Sequence, residues 1–150
     1  NFMDEAISES AKNLETGHGG PFGAVVVKDG VIVGRGHNEV LKNNDPTFTA
    51  KTAIRGACRN LGTYDLSGCE LYTSAEPCPM CLSAIIWANI KTVYYGNSAK
   101  DAAAIGFRDD FIYDFIKRAA PTKNAALRQM GREEAIKIFE QYKEKNMTIY

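Results

Sequence analysis

Leu71-Tyr72-Thr73-Ser74-Ala75-Glu76-Pro77-Cys78-Pro79-Met80-Cys81 reads as a short strand, a turn and the mouth of a helix. Leu82, Ile85, Ile86 and Trp87 continue that helix, so both thiols fall in its first turn. Thiols three positions apart can hold one metal ion between them. Unpaired N–H groups and the helix dipole at that end are expected to lower both thiol pKa values. Taken alone, Cys-x-x-Cys reads three ways: half of a zinc site, a dithiol redox pair, or two small buried residues. The Ser-x-Glu-Pro turn before it, and the strand–helix order around it, favour the half zinc site.

Outward from this stretch the chain alternates between helix and strand. Met3, Ala6, Ile7, Ser10, Ala11 and Leu14 recur at helical spacing and Gly17, Gly19 and Gly20 end that segment. Ala24 to Val27 and Val31 to Val33 flank Asp29-Gly30, a hairpin signal. Ala50, Ala53, Ile54, Ala57, Cys58 and Leu61 restore the helical period, which predicts a helix from about Thr47 to Leu61, with Gly62 at its C-terminal cap. Thr92 to Tyr95 is the next strand, and the helical connection predicts that it runs parallel to Leu71–Thr73. Two further helical faces follow, one on Phe111, Ile112, Phe115 and Ile116 and one on Ala135, Ile138, Phe139 and Tyr142. The expected class is α/β, a central mixed sheet with helices on both faces.

The 150 residues suit one domain with its own core. Eighteen basic residues balance eighteen acidic ones, so no global field draws the chain toward nucleic acid or an anionic membrane, and a small neutral substrate fits better. No apolar run approaches the roughly 20 residues that span a bilayer, and Asp4 and Glu5 lie where a secretion signal would be basic. Four cysteines are too few and too irregularly spaced for a disulfide framework, so a reducing, cytoplasmic location is expected.

Several segments in register resemble the cytidine deaminase superfamily, and within it the small bacterial-type guanine deaminases. They are Gly19 to Gly30, His37-Asn38, Asn44-Asp45-Pro46-Thr47, Ala53-Ile54-Arg55, Leu71 to Cys81 (with Ala75 where Cys is frequent), Asp101 to Tyr113, and the terminal Tyr150. The resemblance implies a three-layer α-β-α fold with a mixed five-stranded sheet. It also implies a homodimer in which the C-terminal segment, about 115–150, is exchanged between subunits of a single 1–150 domain. The implied reaction is zinc-dependent hydrolytic deamination of a purine base, guanine to xanthine and ammonia, at a zinc held by one His and two Cys. Carried over by position, Cys78 and Cys81 are metal ligands, Asn38 a polar contact to the base, Phe22 an apolar wall, Asp109 a second carboxylate near the substrate amine, and Tyr150 a closing group.

One segment departs from the family. Where it reads His-Ala-Glu, this chain has Thr49-Ala50-Lys51, one residue shorter before Ala53. Thr49 replaces the ligand histidine, and Lys51 replaces the proton-shuttling glutamate with an ammonium that would repel a dication. One residue lost from a helix turns what precedes it by roughly 100°. An inactive deaminase-fold dimer, or a deliberately altered chain, is therefore the alternative to a working enzyme; a tRNA adenosine deaminase and a dithiol redox protein rank lower. The two histidines are weak substitutes as ligands: His37 is expected on the sheet face opposite Asn38, and His18 in a glycine-rich loop beside the pocket wall. Plainer roles stand beside each assignment. Asn38 can be a strand-end hydrogen bonder, Asp109 a helix N-cap, Phe22 strand filling, Trp87 core or interface, and Tyr150 an ordinary terminus.

Overall fold

A computed structural model describes residues 1–47, 51–118 and 128–150. They form two compact units, Asn1–Asp114 and Phe115–Tyr150. In the first, α1 (Phe2–Thr16) leads to β1 (Gly23–Lys28), β2 (Val31–His37), a short α2 (Val40–Asn43) and α3 (Lys51–Leu61). Then come β3 (Cys69–Ala75), α4 (Pro79–Trp87), β4 (Thr92–Asn97), α5 (Ala99–Ala104) and α6 (Asp109–Arg118), whose last residues pass into the second unit. The second unit carries α7 (Arg132–Glu144), and there the Tyr142 hydroxyl donates to the Thr148 carbonyl at 2.6 Å.

The strands lie in the order β2-β1-β3-β4. β1 is antiparallel to both neighbours, and β3 and β4 are parallel, as the helical connection through α4 requires. The hairpin closes with Lys28 opposite Val31, and Asp29 and Gly30 both take positive φ, 48° and 76°, the backbone of a two-residue turn matched to strand twist. Among the described residues the sheet has four strands, not the five that the resemblance implied. After β4 the chain goes straight into helix: the Ser98 hydroxyl and the Asp101 carboxylate form a reciprocal capping box that starts α5.

Alternation along β1 divides the core into two layers. Ala24 and Val26 face Ala53, Ile54 and Ala57 of α3 and Ile85 of α4. Val25 and Val27 face Ala6 of α1, with Phe2, Ile32 and Tyr72 packed around them. The unit is thus helix, sheet, helix. α3 lies close on β2, since a Cβ at Gly36 would come within 2.7 Å of the Thr52 Cβ.

α3 is described over Lys51–Leu61. Thr47 sits in a turn where its N–H and hydroxyl both donate to Asp45 Oδ1, at 2.8 and 2.7 Å. Residues 48–50, Thr49 among them, lie outside the described residues. α1 is present as expected, but its buried face is Ala6, Glu9 and Asn13, while Ile7 and Leu14 are exposed.

Candidate active site

β3 delivers the chain through Glu76-Pro77 to Cys78, the N-cap of α4, with Pro79 in the first turn where no N–H is needed. The Cys78 sulfur accepts from the Cys81 N–H at 3.5 Å, and Cys81 is buried. Both thiols open into one cavity of about 690 Å³, a volume in the range of small-molecule sites. Phe22, Asn38, Glu76 and Asp109 line the same cavity, so residues read as site candidates from four separate segments meet there.

Asn38 is held rigidly. Its backbone N–H donates to the Phe22 carbonyl at 2.9 Å, and its Oδ1 accepts from the N–H groups of Val40 at 3.1 Å and Gly20 at 3.3 Å. With the oxygen committed and no described residue taking a bond from Nδ2, the amide presents a donor at the cavity wall. Gly19 makes this geometry accessible, because a Cβ there would overlap the Asn38 amide. Phe22 meets Phe107 edge-on, with centroids 4.9 Å apart and rings at 79°. A Cβ on Gly20 would fall 2.7 Å from Phe22 and 2.9 Å from Phe107.

Asp109 opens α6, which is anchored where the Tyr113 hydroxyl donates to the Pro77 carbonyl at 2.6 Å. Burial, and then the charges of Asp110 and Glu76, push the Asp109 carboxyl above its ordinary range. Glu76 is structural as well as cavity-lining, since its Oε2 accepts the Ala99 N–H at 2.7 Å.

The thiols correct an expectation. The Cys78 pKa is raised, not lowered: the hydrogen bond between the two sulfurs dominates, burial and the neighbouring Cys81 charge add to it, and the Cys81 N–H opposes them. One helix end does not offset a buried pair of sulfurs; a cation between them would. As soft donors the two suit zinc, and they make half of a tetrahedral set. Among the described residues, no histidine, cysteine or carboxylate completes a three-ligand group with them.

Lys51 is the first described residue of α3 and is not among the cavity-lining residues. Its charge acts on Asp45, whose carboxyl is held low chiefly by the Thr47 hydroxyl. Tyr150, at the end of the second unit, is largely exposed. His37 turns toward α1, with Nδ1 3.3 Å from Glu9 Oε2, and neither histidine lines the cavity.

Phe107 and Asn13 escaped the sequence reading. Phe107 carries no periodic signal of its own in the segment after α5. Asn13 sits on α1 four positions after Glu9, a polar pair that amphipathic reasoning assigns to solvent.

Residues 1–97 match the family model described as the cytidine and deoxycytidylate deaminase zinc-binding region. The guanine deaminase of Bacillus subtilis (strain 168) is 46% identical over 143 residues, which is 95% of this chain and 92% of that protein. The X-ray structure of guanine deaminase from Bacillus subtilis superposes with a TM-score of 0.89 at 45% identity, covering 99% of this chain and 94% of that one. A tRNA-specific adenosine deaminase of Agrobacterium fabrum is 34% identical over 147 residues, 97% of this chain and 95% of that protein.

Proposed function

This chain belongs to the cytidine and deoxycytidylate deaminase family, a family of enzymes, and from that premise we propose that its cavity hydrolytically deaminates guanine to xanthine and ammonia. The observation that carries this reading is the meeting of Cys78, Cys81, Asn38, Phe22 and Asp109 on one cavity. Asn38 Nδ2 donates to an acceptor on the purine edge, and Phe22, steadied by Phe107, packs against the ring face. The Asp109 carboxyl lies beside the departing amine. Cys78 and Cys81 would hold the zinc, which would supply a Lewis acid and a water of lowered pKa. The balance of 18 basic against 18 acidic residues favours a free base over a tRNA substrate.

One observation supports a second reading, a scaffold that binds guanine without turning it over. Lys51 stands at the family's glutamate position, and an ammonium does not take a proton from an activated water. Guanine added to the zinc-loaded chain separates the two: xanthine with equimolar ammonia supports the enzyme, and calorimetric binding of guanine without product supports the scaffold.

We further infer a homodimer in which Phe115–Tyr150 is exchanged and Tyr150 closes the partner's cavity. Its support is α7, which leaves Ile138 and Phe139 exposed. A cytoplasmic location fits four free cysteines, and no described helix is long and apolar enough to cross a membrane. Light scattering that reports a monomer at working concentration removes the exchange.

A further inference from the structure

We propose that His18, His37 and Glu39 form a second metal site, for a zinc-like divalent cation, behind the cavity wall and separate from the two thiols. One ligand atom from each of the three side chains lies within 4.8 Å of the others. His37 Nε2 is 3.4 Å from Glu39 Oε1, close to the roughly 3.3–3.4 Å that separates two ligands bound at about 2.0–2.1 Å to a tetrahedral ion. The imidazole rings of His18 and His37 have centroids 6.1 Å apart, and modest closure brings the third atom into range.

The nitrogens have no other use. His37 Nε2 and His18 Nδ1 are both buried without a hydrogen-bond partner, and the approach to Glu39 is near without being aligned. Buried polar atoms of this kind are rare and call for a partner. At the other edge of its ring, His37 Nδ1 lies 3.3 Å from Glu9 Oε2, the carboxylate–histidine arrangement that orients an imidazole and directs the Nε2 lone pair at a metal. Glu9 is itself buried and fixed by Lys12 at 2.8 Å and Arg35 at 3.3 Å. Lys42, half exposed, lies 3.7 Å from Glu39 Oε1, and Asn43 Nδ2 donates to the other oxygen, Oε2, at 3.0 Å, so Oε1 is the one turned to His37.

The place in the fold gives the site a task. His18 adjoins Gly19, whose close approach shapes the Asn38 amide, and His37 and Glu39 flank Asn38 directly. A cation shared by the three side chains ties the glycine loop to the end of β2 and holds the Asn38 amide in position. The inference does not rest on the deamination reading.

His18 and His37 are the only histidines in the chain, so long-range proton–nitrogen NMR of the unmodified protein observes the site without mutation. Titration with zinc chloride is expected to move ring nitrogens of both histidines together, saturating at one equivalent for these signals. Calorimetry on the Cys78→Ser/Cys81→Ser chain should retain one zinc per chain, and His18→Gln in that background should weaken it at least tenfold. Histidine signals that ignore zinc, movement of only one ring, or unchanged affinity in the His18→Gln chain would each overturn the proposal. Should the doubly substituted chain fail to fold by circular dichroism, the NMR titration decides alone.

Discussion

The side-chain amide of Asn13 donates to the Asn38 carbonyl at 2.8 Å and, from the same nitrogen, to the Gly20 carbonyl at 2.7 Å. One polar residue on α1 thus fastens both backbone segments of the cavity wall. Asn13→Ala leaves the buried Asn38 carbonyl without its donor, at about 1–3 kcal/mol, while the Gly20 carbonyl keeps the Phe22 N–H at 2.9 Å. A loss of about 1–3 kcal/mol in urea denaturation is expected, together with weaker guanine binding.

Asn38→Asp separates the two duties of that side chain. An aspartate oxygen still accepts from Gly20 and Val40, but the donor at the cavity wall becomes an acceptor. Guanine affinity measured by calorimetry should fall about tenfold or more while the circular dichroism spectrum is unchanged. Undiminished affinity would remove Asn38 from the site.

Gly19→Ala and Gly17→Ala test close approach against backbone strain. The first drives a methyl group into the Asn38 amide; the second meets nothing within 4 Å but sits at φ +63°. Both should lose about 1–2 kcal/mol of stability. Only the alanine at position 19 should also weaken guanine binding.

Asp109 gives a pH signature in the metal-free protein. Its folded pKa is raised, so the native state holds the proton more tightly than the unfolded chain, and stability falls as pH rises through the interval between the two values. Asp109→Asn should therefore raise the thermal midpoint at neutral pH. That advantage should vanish as pH drops toward about 3.9, the ordinary carboxyl value. An asparagine variant less stable at neutral pH would contradict the burial account.

The parts of the fold written in short-range pattern were legible. Asp29-Gly30 between valines gave the hairpin, and the helix that follows Cys78 made β3 and β4 parallel. Glu9 and Asn13 were not legible, because their burial depends on Lys12, Arg35, His37 and two carbonyls supplied from later in the chain. The raised Cys78 pKa is tertiary: spacing announces a helix end, whereas burial and the second sulfur depend on the assembled cavity. Among site residues, the thiols were legible from their own spacing, Asn38, Phe22 and Asp109 only from register with a family, and all five line one cavity.

Restoring His-Ala-Glu, at family length, between Phe48 and Thr52 addresses the central claim that this cavity is built for guanine deamination and limited by one segment. With zinc loaded and xanthine formation followed by absorbance, the restored chain is predicted to turn over guanine at least about 100-fold faster than the unmodified one, the scale of a positioned general acid–base. A restored chain that is folded and zinc-loaded yet yields no xanthine would contradict the account.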